Sequence, residues 1–152
     1  MMLAMIASAL LVLATTVLHY EVLQALHHGL PRLRMANRAK LVVVILATFT
    51  AHAAEVALYG LAFWVLVTHM DQGHLMGSGE LTLGNCLYFS AETFTSLGFG
   101  DLTPIGPVRL LVGVEALNGL LLIGWSASFT YLAMERFWGA QAQREDLARK
   151  RE

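Results

Sequence analysis

Hydrophobic residues form three long runs and one short run along the chain, and charged residues are concentrated between these runs and at the end. The first run covers 1–26 and carries no charged side chain through Leu18. The second covers about 41–69, and the third covers about 108–138. A helix of about 20 apolar residues crosses a hydrocarbon core of about 30 Å, so each long run predicts a transmembrane helix.

The short apolar run, 85–97, is too short to cross a membrane and too apolar for a solvent-exposed loop. It predicts a re-entrant helix, which is tolerated at membrane depth where protein surrounds it. The glycine-rich segment 71–84 before it is expected to form an extracellular loop. Pro104 and Pro107 separate the short run from the third long run, and Pro107 suits the first turn of a helix. The expected fold class is therefore an all-α membrane protein with three transmembrane helices and one re-entrant helix.

The basic residues predict how these helices are oriented. A connector, 27–40, holds the basic residues Arg32, Arg34, Arg38 and Lys40. A mixed-charge tail, 139–152, holds several more. Positively charged segments favour the cytoplasmic side, so both are expected inside a multi-pass cell-membrane protein whose N-terminus lies outside. A cleavable signal peptide is the alternative interpretation of the first run, but that run lacks a basic segment at its start.

The composition agrees with a membrane protein, because hydrophobic residues make up 57% of the 152 residues and charged residues only 14%. The net charge of −1 argues against nucleic acid as a partner, since nucleic-acid binders are normally basic. Cys86 is the single cysteine, so no disulfide can form within the chain. The sequence has no recognised metal motif, nucleophile elbow or phosphate-binding loop. We therefore expect neither an enzyme nor a cofactor.

The segment 95–101, Thr-Ser-Leu-Gly-Phe-Gly-Asp, carries the strongest functional pattern. Gly98 and Gly100 can adopt backbone angles closed to other residues, so successive carbonyls can point the same way. Repeated around a symmetry axis, such carbonyls form rings of oxygen atoms that can replace the water shell of an ion. Three spanning helices are too few to enclose a pore, so a symmetric homo-oligomer is implied. A glycine-rich turn between two helices is the alternative interpretation.

In this context the segment resembles the filter signature of the potassium-channel pore family, T-[TS]-V-G-[YF]-G-D. The resemblance covers about 41–138, where outer helix, pore helix, filter and inner helix follow in the order of the family. Ser96, Leu97 and Phe99 depart from the commoner Thr, Val and Tyr. The resemblance implies a homotetramer in the lipid bilayer, with 1–26 as an extra transmembrane helix before each pore module.

The resemblance also implies roles for residues in and behind the filter. Potassium ions are expected to bind at Ser96, Leu97, Gly98, Phe99 and Gly100, with the Ser96 hydroxyl at the innermost site. Filter support is expected from Tyr88, Glu92, Thr95 and Asp101. Glu92 matches a glutamate that shares a proton or a hydrogen bond with the aspartate that ends the filter. Tyr88 lies at a position where the family often has a tryptophan that donates a hydrogen bond behind the filter. The Tyr88 hydroxyl is expected to reach Asp101.

On the inner helix, Gly119 matches the gating-hinge glycine of the family. Glycine weakens a helix by about 1 kcal/mol relative to alanine, so bending there is inexpensive. Close helix packing by a small residue is the alternative interpretation, for which Gly113 and Gly124 are equal candidates. Asn118 is a candidate for a side chain that faces the ion cavity.

A set of ionisable and neighbouring polar residues lies within the apolar runs, where each needs a protein or water partner: His19, Tyr20, Glu21, His52, Glu55 and Glu115. His52 and Glu55 are three residues apart and share one helix face. By its depth in the membrane, Glu115 is expected to come within reach of Glu55. Three interpretations stay open: a structural polar network that fixes the first helix, a proton sensor acting through His52, and a divalent-metal site.

The predicted function is passive, potassium-selective ion conduction, with monovalent cations as the transported species. One alternative is a weakly selective monovalent cation channel, which the filter departures motivate. Another is a channel-like regulatory subunit that does not conduct. A potassium transporter derived from such pores is disfavoured, because this chain keeps both filter glycines and shows a single repeat.

Overall fold

The computed structural model describes residues 1–77 and 81–149, with the backbone alone described at 138 and 140–149. Within this part of the chain the helices are α1 Met2–Gly29, α2 Asn37–Thr68, α3 Leu83–Phe94 and α4 Val108–Arg149. A short 3-10 helix, Leu30–Arg32, follows α1. The segments long and apolar enough to cross a membrane are Met2–Arg32, Asn37–Thr68 and Val108–Phe137. The predicted all-α membrane fold with three spanning helices is confirmed.

The spanning helices extend beyond the apolar runs that predict them. α1 continues to Gly29 and α2 begins at Asn37, so most of the predicted connector, 27–40, is helical. Arginine and lysine have high helix propensities, so basic residues prolong a helix past its apolar part. For the same reason α4 continues through the predicted tail to Arg149. The last three residues of that tail lie outside the described residues.

The two segments that flank α3 pair with each other as a short antiparallel hairpin. Strand β1, His74–Gly77, pairs with strand β2, Leu102–Ile105, so that the first residue of β1 lies opposite the last residue of β2. Gly73 precedes β1 at φ +113°, and a Cβ there would lie 2.0 Å from the carbonyl oxygen of Ile105. Part of the predicted loop 71–84 is therefore a strand, while its residues 78–80 lie outside the described residues. Four-residue strands are too short to show a recognisable alternation in sequence.

Helices α2, α3 and α4 pack around one hydrophobic core, and α1 packs along both α2 and α4. The buried core consists of Tyr59, Phe63, Leu66, Cys86, Phe89, Phe94, Val108, Leu111 and Leu122. Gly60 lets α2 approach α3 closely, because a Cβ there would lie 2.9 Å from the Cα atom of Leu87. Helix α3 is thus held between two spanning helices. The segment 95–101 follows directly after Phe94, the buried last residue of α3.

Candidate functional site

The filter segment, 95–101, begins where the chain folds back over the last turn of α3. The Ser96 N–H donates to the Thr93 carbonyl at 3.0 Å, and the Leu97 N–H donates to the Glu92 carbonyl at 2.8 Å. These bonds satisfy carbonyl groups at the end of α3 that have no partner within the helix. The direction in which the filter segment leaves α3 is therefore fixed by backbone hydrogen bonds.

The backbone of the filter segment alternates in the sign of φ. Ser96, Gly98 and Gly100 have positive φ values of 58°, 56° and 81°, whereas Leu97 and Phe99 between them do not. Glycine adopts positive φ at little steric cost, so the two glycines suit their positions, and Ser96 is an uncommon non-glycine example. In an ordinary strand, successive carbonyls point to alternate sides. When every second residue has a positive φ, successive carbonyls can all point to the same side. The predicted ion-binding residues thus have a backbone suited to a row of carbonyl ligands.

Glu92 supports the filter segment from behind. Its side chain is buried, and its carboxylate Oε2 accepts the Phe99 N–H at 2.9 Å. Its backbone oxygen accepts the Leu97 N–H, so this one residue bonds the segment at two points. Thr95 is anchored to α3, because its hydroxyl donates to the Ala91 carbonyl at 2.8 Å. The role of both residues as filter support stays a prediction.

Tyr88 connects α3 to the end of the filter segment. Its ring stacks on the Phe99 ring at a centroid distance of 6.4 Å, and its hydroxyl hydrogen-bonds with the Asp101 carboxylate. Desolvation raises the pKa of Tyr88, and the hydrogen bond to Asp101 raises it further. Among the described contacts, the expected bond between Glu92 and Asp101 is not formed. The Glu92 carboxylate is directed to the Phe99 N–H instead.

Gly119 lies directly against the end of α3. A Cβ at this position would lie 2.2 Å from the carbonyl oxygen of Phe94, closer than any side chain can approach. Gly113 and Gly124 would meet nothing within 4 Å of a Cβ. The structure therefore shows close helix packing at Gly119, and the hinge role of this glycine stays a prediction.

The prediction that Asn118 faces an ion cavity is wrong. Its side chain is buried, and its amide Nδ2 donates to the Thr15 hydroxyl at 2.8 Å and to the Tyr59 hydroxyl at 3.2 Å. A buried amide requires hydrogen-bond partners, and α1 and α2 supply them here. Asn118 therefore joins the inner helix α4 to the other two spanning helices.

Four side chains from three helices form a closed ring of hydrogen-bonding contacts, named here the histidine cluster: His19 of α1, His52 and Glu55 of α2, and Ser126 of α4. Glu55 Oε1 lies 2.8 Å from His19 Nδ1, and Glu55 Oε2 lies 2.8 Å from His52 Nδ1. Ser126 Oγ lies 3.0 Å from His52 Nε2 and 3.1 Å from His19 Nε2. The side chains of His19 and Glu55 are fully buried, and that of His52 is 20% exposed. The structure thus unites three of the predicted ionisable residues.

Glu115 lies apart from the histidine cluster, and the described contacts do not include the expected one with Glu55. Its Oε1 lies 2.5 Å from the Ser90 hydroxyl, which also lies 2.8 Å from the Val56 carbonyl oxygen. A hydroxyl has one proton to donate and a carbonyl only accepts, so both contacts are hydrogen bonds only when Glu115 is a protonated acid. Within the described structure, Glu115 Oε2 has no partner. Glu115 is therefore a neutral hydrogen-bonding group in this arrangement.

Tyr20 and Glu21 lie outside the histidine cluster, which corrects their grouping with His19. Both side chains are exposed on α1 in the single chain, and the Tyr20 ring lies 6.4 Å from the Trp125 ring. Successive residues of a helix with 3.6 residues per turn point about 100° apart. Of these three consecutive side chains, His19 is the one buried between α2 and α4.

Several polar partners were not predicted from the sequence: Thr15, Tyr59, Ser90 and Ser126. On α4, Glu115 and Asn118 are three residues apart, and Ser126 follows at a spacing that returns to the same helix face. A polar stripe within an apolar helix marks a buried face, so Ser126 could have been found from this spacing. The partners across helices could not, because they depend on how the helices pack.

Comparison with known proteins identifies the family of the chain. The profile of a family described as "Ion channel" matches residues 39–136, which is more than half of the chain. The "Inward rectifier potassium channel Kirbac3.1" of Paramagnetospirillum magnetotacticum is 40% identical over 53 residues, or 34% of this chain, and the match covers only 18% of that relative. No solved structure shows a significant match to the chain. The family recognised from the filter residues is confirmed, and the chain belongs to the ion channel family.

Proposed function

We propose that this chain is the subunit of a passive channel that conducts potassium ions selectively. The observation that carries the proposal is the alternating sign of φ at Ser96, Gly98 and Gly100, at the end of a buried helix. Rings of backbone carbonyls replace the hydration shell of a potassium ion in filters of this kind. The relative matched over 53 residues is itself described as a potassium channel. Ions are therefore expected to bind to the carbonyl oxygens of 96–100.

A homotetramer would complete the proposed pore. The side chains of Leu97 and Phe99 are 60% and 65% exposed in the single chain. Exposed apolar side chains beside a functional segment commonly mark a protein contact surface. Helix α4 also exposes a row of leucines, Leu117, Leu120 and Leu121. Four copies around one axis would cover these surfaces and bring four filter segments into rings.

The proposed orientation follows from the basic residues. The connector 27–40 and the mixed-charge segment 139–152 would lie in the cytoplasm, because positively charged segments favour that side. With three spanning helices, this orientation puts the N-terminus and the hairpin of β1 and β2 outside. Helix α1 would then be an extra transmembrane helix beside each pore module.

Ion flux from purified protein in liposomes tests the proposed function. With a potassium gradient and then a sodium gradient, we expect potassium flux well above sodium flux. Gly98→Ala places a Cβ at φ +56° and is expected to abolish most of the flux, because it strains the filter backbone. Gly29→Ala is the matched control, since a Cβ at the end of α1 meets nothing within 4 Å. This control is expected to keep wild-type flux.

Two results would contradict potassium-selective conduction. Equal potassium and sodium fluxes would support the weakly selective cation channel, which the residues Ser96, Leu97 and Phe99 motivate. Absence of flux from correctly assembled wild-type protein would support a channel-like subunit that does not conduct. Flux that persists unchanged in Gly98→Ala would place the ion path outside the filter segment.

A further inference from the structure

The histidine cluster has fewer hydrogens than hydrogen-bonding contacts when its imidazoles are neutral. Each of its four contacts needs one hydrogen. Two neutral imidazoles supply one hydrogen each, the Ser126 hydroxyl supplies a third, and an ionised Glu55 supplies none. One contact then joins two atoms that both lack a hydrogen. A cation bound within the cluster would remove this mismatch.

We propose that His19, His52 and Glu55 form a binding site for a divalent metal ion of the zinc class. Two imidazoles and one carboxylate are an established donor set for zinc, with a fourth position open to water. The ligand atoms of the three residues all lie within 4.8 Å of one another. Both Nδ1 atoms already face the same carboxylate, each at 2.8 Å from one of its oxygens. A metal ion would take the place of the hydrogens between them, at about 2.1 Å from each ligand atom.

Ser126 would orient the two imidazoles in the metal-bound form. When both Nδ1 atoms bind the ion, each neutral imidazole carries its hydrogen on Nε2. Ser126 Oγ lies 3.0 Å and 3.1 Å from these two atoms and has two lone pairs, so it can accept both hydrogens. Histidine ligands commonly donate their second N–H to such a partner, which fixes the orientation of the ring. Every contact of the cluster is then satisfied.

Aromatic side chains that do not bind metal ions border the histidine cluster. The ring centroid of Trp125 lies 5.5 Å from that of His19, and the ring centroid of Phe94 lies 5.7 Å from that of His52. Glu115, the other buried acid of the spanning helices, is engaged with Ser90. The Glu55 carboxylate would balance part of the charge of the ion.

A bound ion would connect all three spanning helices. It would join α1 to α2 directly through His19, His52 and Glu55, and it would hold α4 through the hydrogen bonds of Ser126. This site does not depend on the proposed potassium conduction, because none of its residues belongs to the filter segment.

Metal titration of this chain, purified in detergent and stripped with a chelator, tests the proposal. Cobalt(II) in a tetrahedral site absorbs visible light, and zinc is expected to displace it at one ion per chain. Glu55→Gln and His52→Ala are expected to lose this absorption. Ser126→Ala is expected to weaken binding by about 10- to 100-fold, because it removes the partner of both imidazoles. His28→Ala is the matched control, since His28 is exposed and its hydrogen bond among the described residues goes to the Gln24 carbonyl of its own helix.

Stripped wild-type protein that binds no cobalt would overturn the proposal. Equal cobalt binding by wild type and Glu55→Gln would place the ion elsewhere and would overturn it as well. Glu55→Gln preserves the size and most of the hydrogen bonding of the side chain, so the comparison does not require a truncated core residue. Each variant is compared as an oligomer of wild-type size. Because the readout is bound metal rather than ion flux, its failure leaves the test of conduction intact.

Discussion

At the scale of single residues, Glu92 and Glu115 are both buried acids with opposite hydrogen-bonding needs. Glu92 accepts a backbone N–H from Phe99, so its carboxyl oxygen serves as an acceptor. Glu115 instead approaches the Ser90 hydroxyl, which also contacts the Val56 carbonyl oxygen. Glu92 therefore acts as an acceptor that holds the filter segment, whereas Glu115 acts as a neutral donor between helices.

Replacement of Glu92 by alanine is expected to alter gating. Glu92→Ala removes the acceptor of the Phe99 N–H, and a hydrogen bond of this kind contributes about 0.5–1.5 kcal/mol. The filter segment loses its support from behind, so the open probability is expected to change in single-channel recordings from planar bilayers. Glu21→Ala, at an exposed position on α1, is the control and should match wild type. Unchanged gating in Glu92→Ala would contradict the supporting role.

Glutamine is expected to replace Glu115 with little loss of stability. Glu115→Gln keeps an uncharged side chain whose amide can donate to the Ser90 hydroxyl, so the free energy of unfolding should stay within about 1 kcal/mol of wild type. Glu115→Ala should lower it by about 2–5 kcal/mol, because it leaves a cavity in the packed interior. Thermal unfolding of purified protein in detergent measures both. Equal damage from the two changes would show that Glu115 is charged in the folded protein.

At the scale of helices, each span carries one buried polar stripe that faces the other two. The stripe of α1 contains Ser8, Thr15 and His19, that of α2 contains Thr48, Glu55 and Tyr59, and that of α4 contains Glu115, Asn118 and Ser126. Hydrogen bonds between membrane helices contribute roughly 0.6–2 kcal/mol each. Helix α1 is therefore attached by polar contacts as well as by apolar packing.

Alanine at Gly119 is expected to separate α4 from the end of α3. The added Cβ would lie 2.2 Å from the Phe94 carbonyl oxygen, a backbone atom that cannot move aside easily. Overpacking of this kind lowers the free energy of unfolding by about 1–3 kcal/mol. Gly113→Ala is the matched control, because its Cβ meets nothing and alanine favours a helix by roughly 1 kcal/mol. A Gly119→Ala variant that unfolds at or above the wild-type temperature would leave only the hinge role for this glycine.

The helices could be predicted from sequence, but the contacts between them could not. An apolar run identifies α1 by its length alone, and paired glycines identify the filter segment. The Glu55 partner of His19 lies 36 residues away, and the Thr15 partner of Asn118 lies 103 residues away. Helical periodicity gives the residues that share a face, but it does not say whether that face meets an ion cavity or another helix. Asn118 was misplaced for this reason.

At the scale of the whole molecule, the filter segment is held in place by the structure that precedes it and by the structure that follows it in the chain. The hairpin of β1 and β2 ties the chain before α3 to the chain after 95–101, and the core holds α3 between α2 and α4. The outer surface of the filter segment has no such cover within the single chain. The fold of one chain thus positions the filter but does not enclose it.

Native mass spectrometry of the detergent-solubilised protein is expected to show four chains per particle. The apolar residues Leu97 and Phe99 and the exposed leucines of α4 need cover that another copy can supply. A Leu120→Asp variant places a charge on that surface of α4 and should shift the particle towards single chains. Leu13→Asp, on an exposed face of α1, is the control and should keep the wild-type mass. A wild-type mass of one or two chains would contradict the tetramer.

The buried polar stripe of α1 also bears on how the protein is synthesised. A ribosome makes α1 before the helices that pack against it. The hydroxyls of Ser8 and Thr15 donate to carbonyls of α1 itself, at 2.7 Å and 2.8 Å, so they need no other helix while α1 is alone in the bilayer. Within the described contacts His19 has no such bond, and its hydrogen-bonding partners belong to α2 and α4.

Ser126 is translated after the filter segment. The contacts of His19 are therefore complete only in a nascent chain that already contains the whole filter and most of α4. A polypeptide cut short before this point can still form the contact between His19 and Glu55, but it leaves the Nε2 atom of His19 without the contact that Ser126 provides.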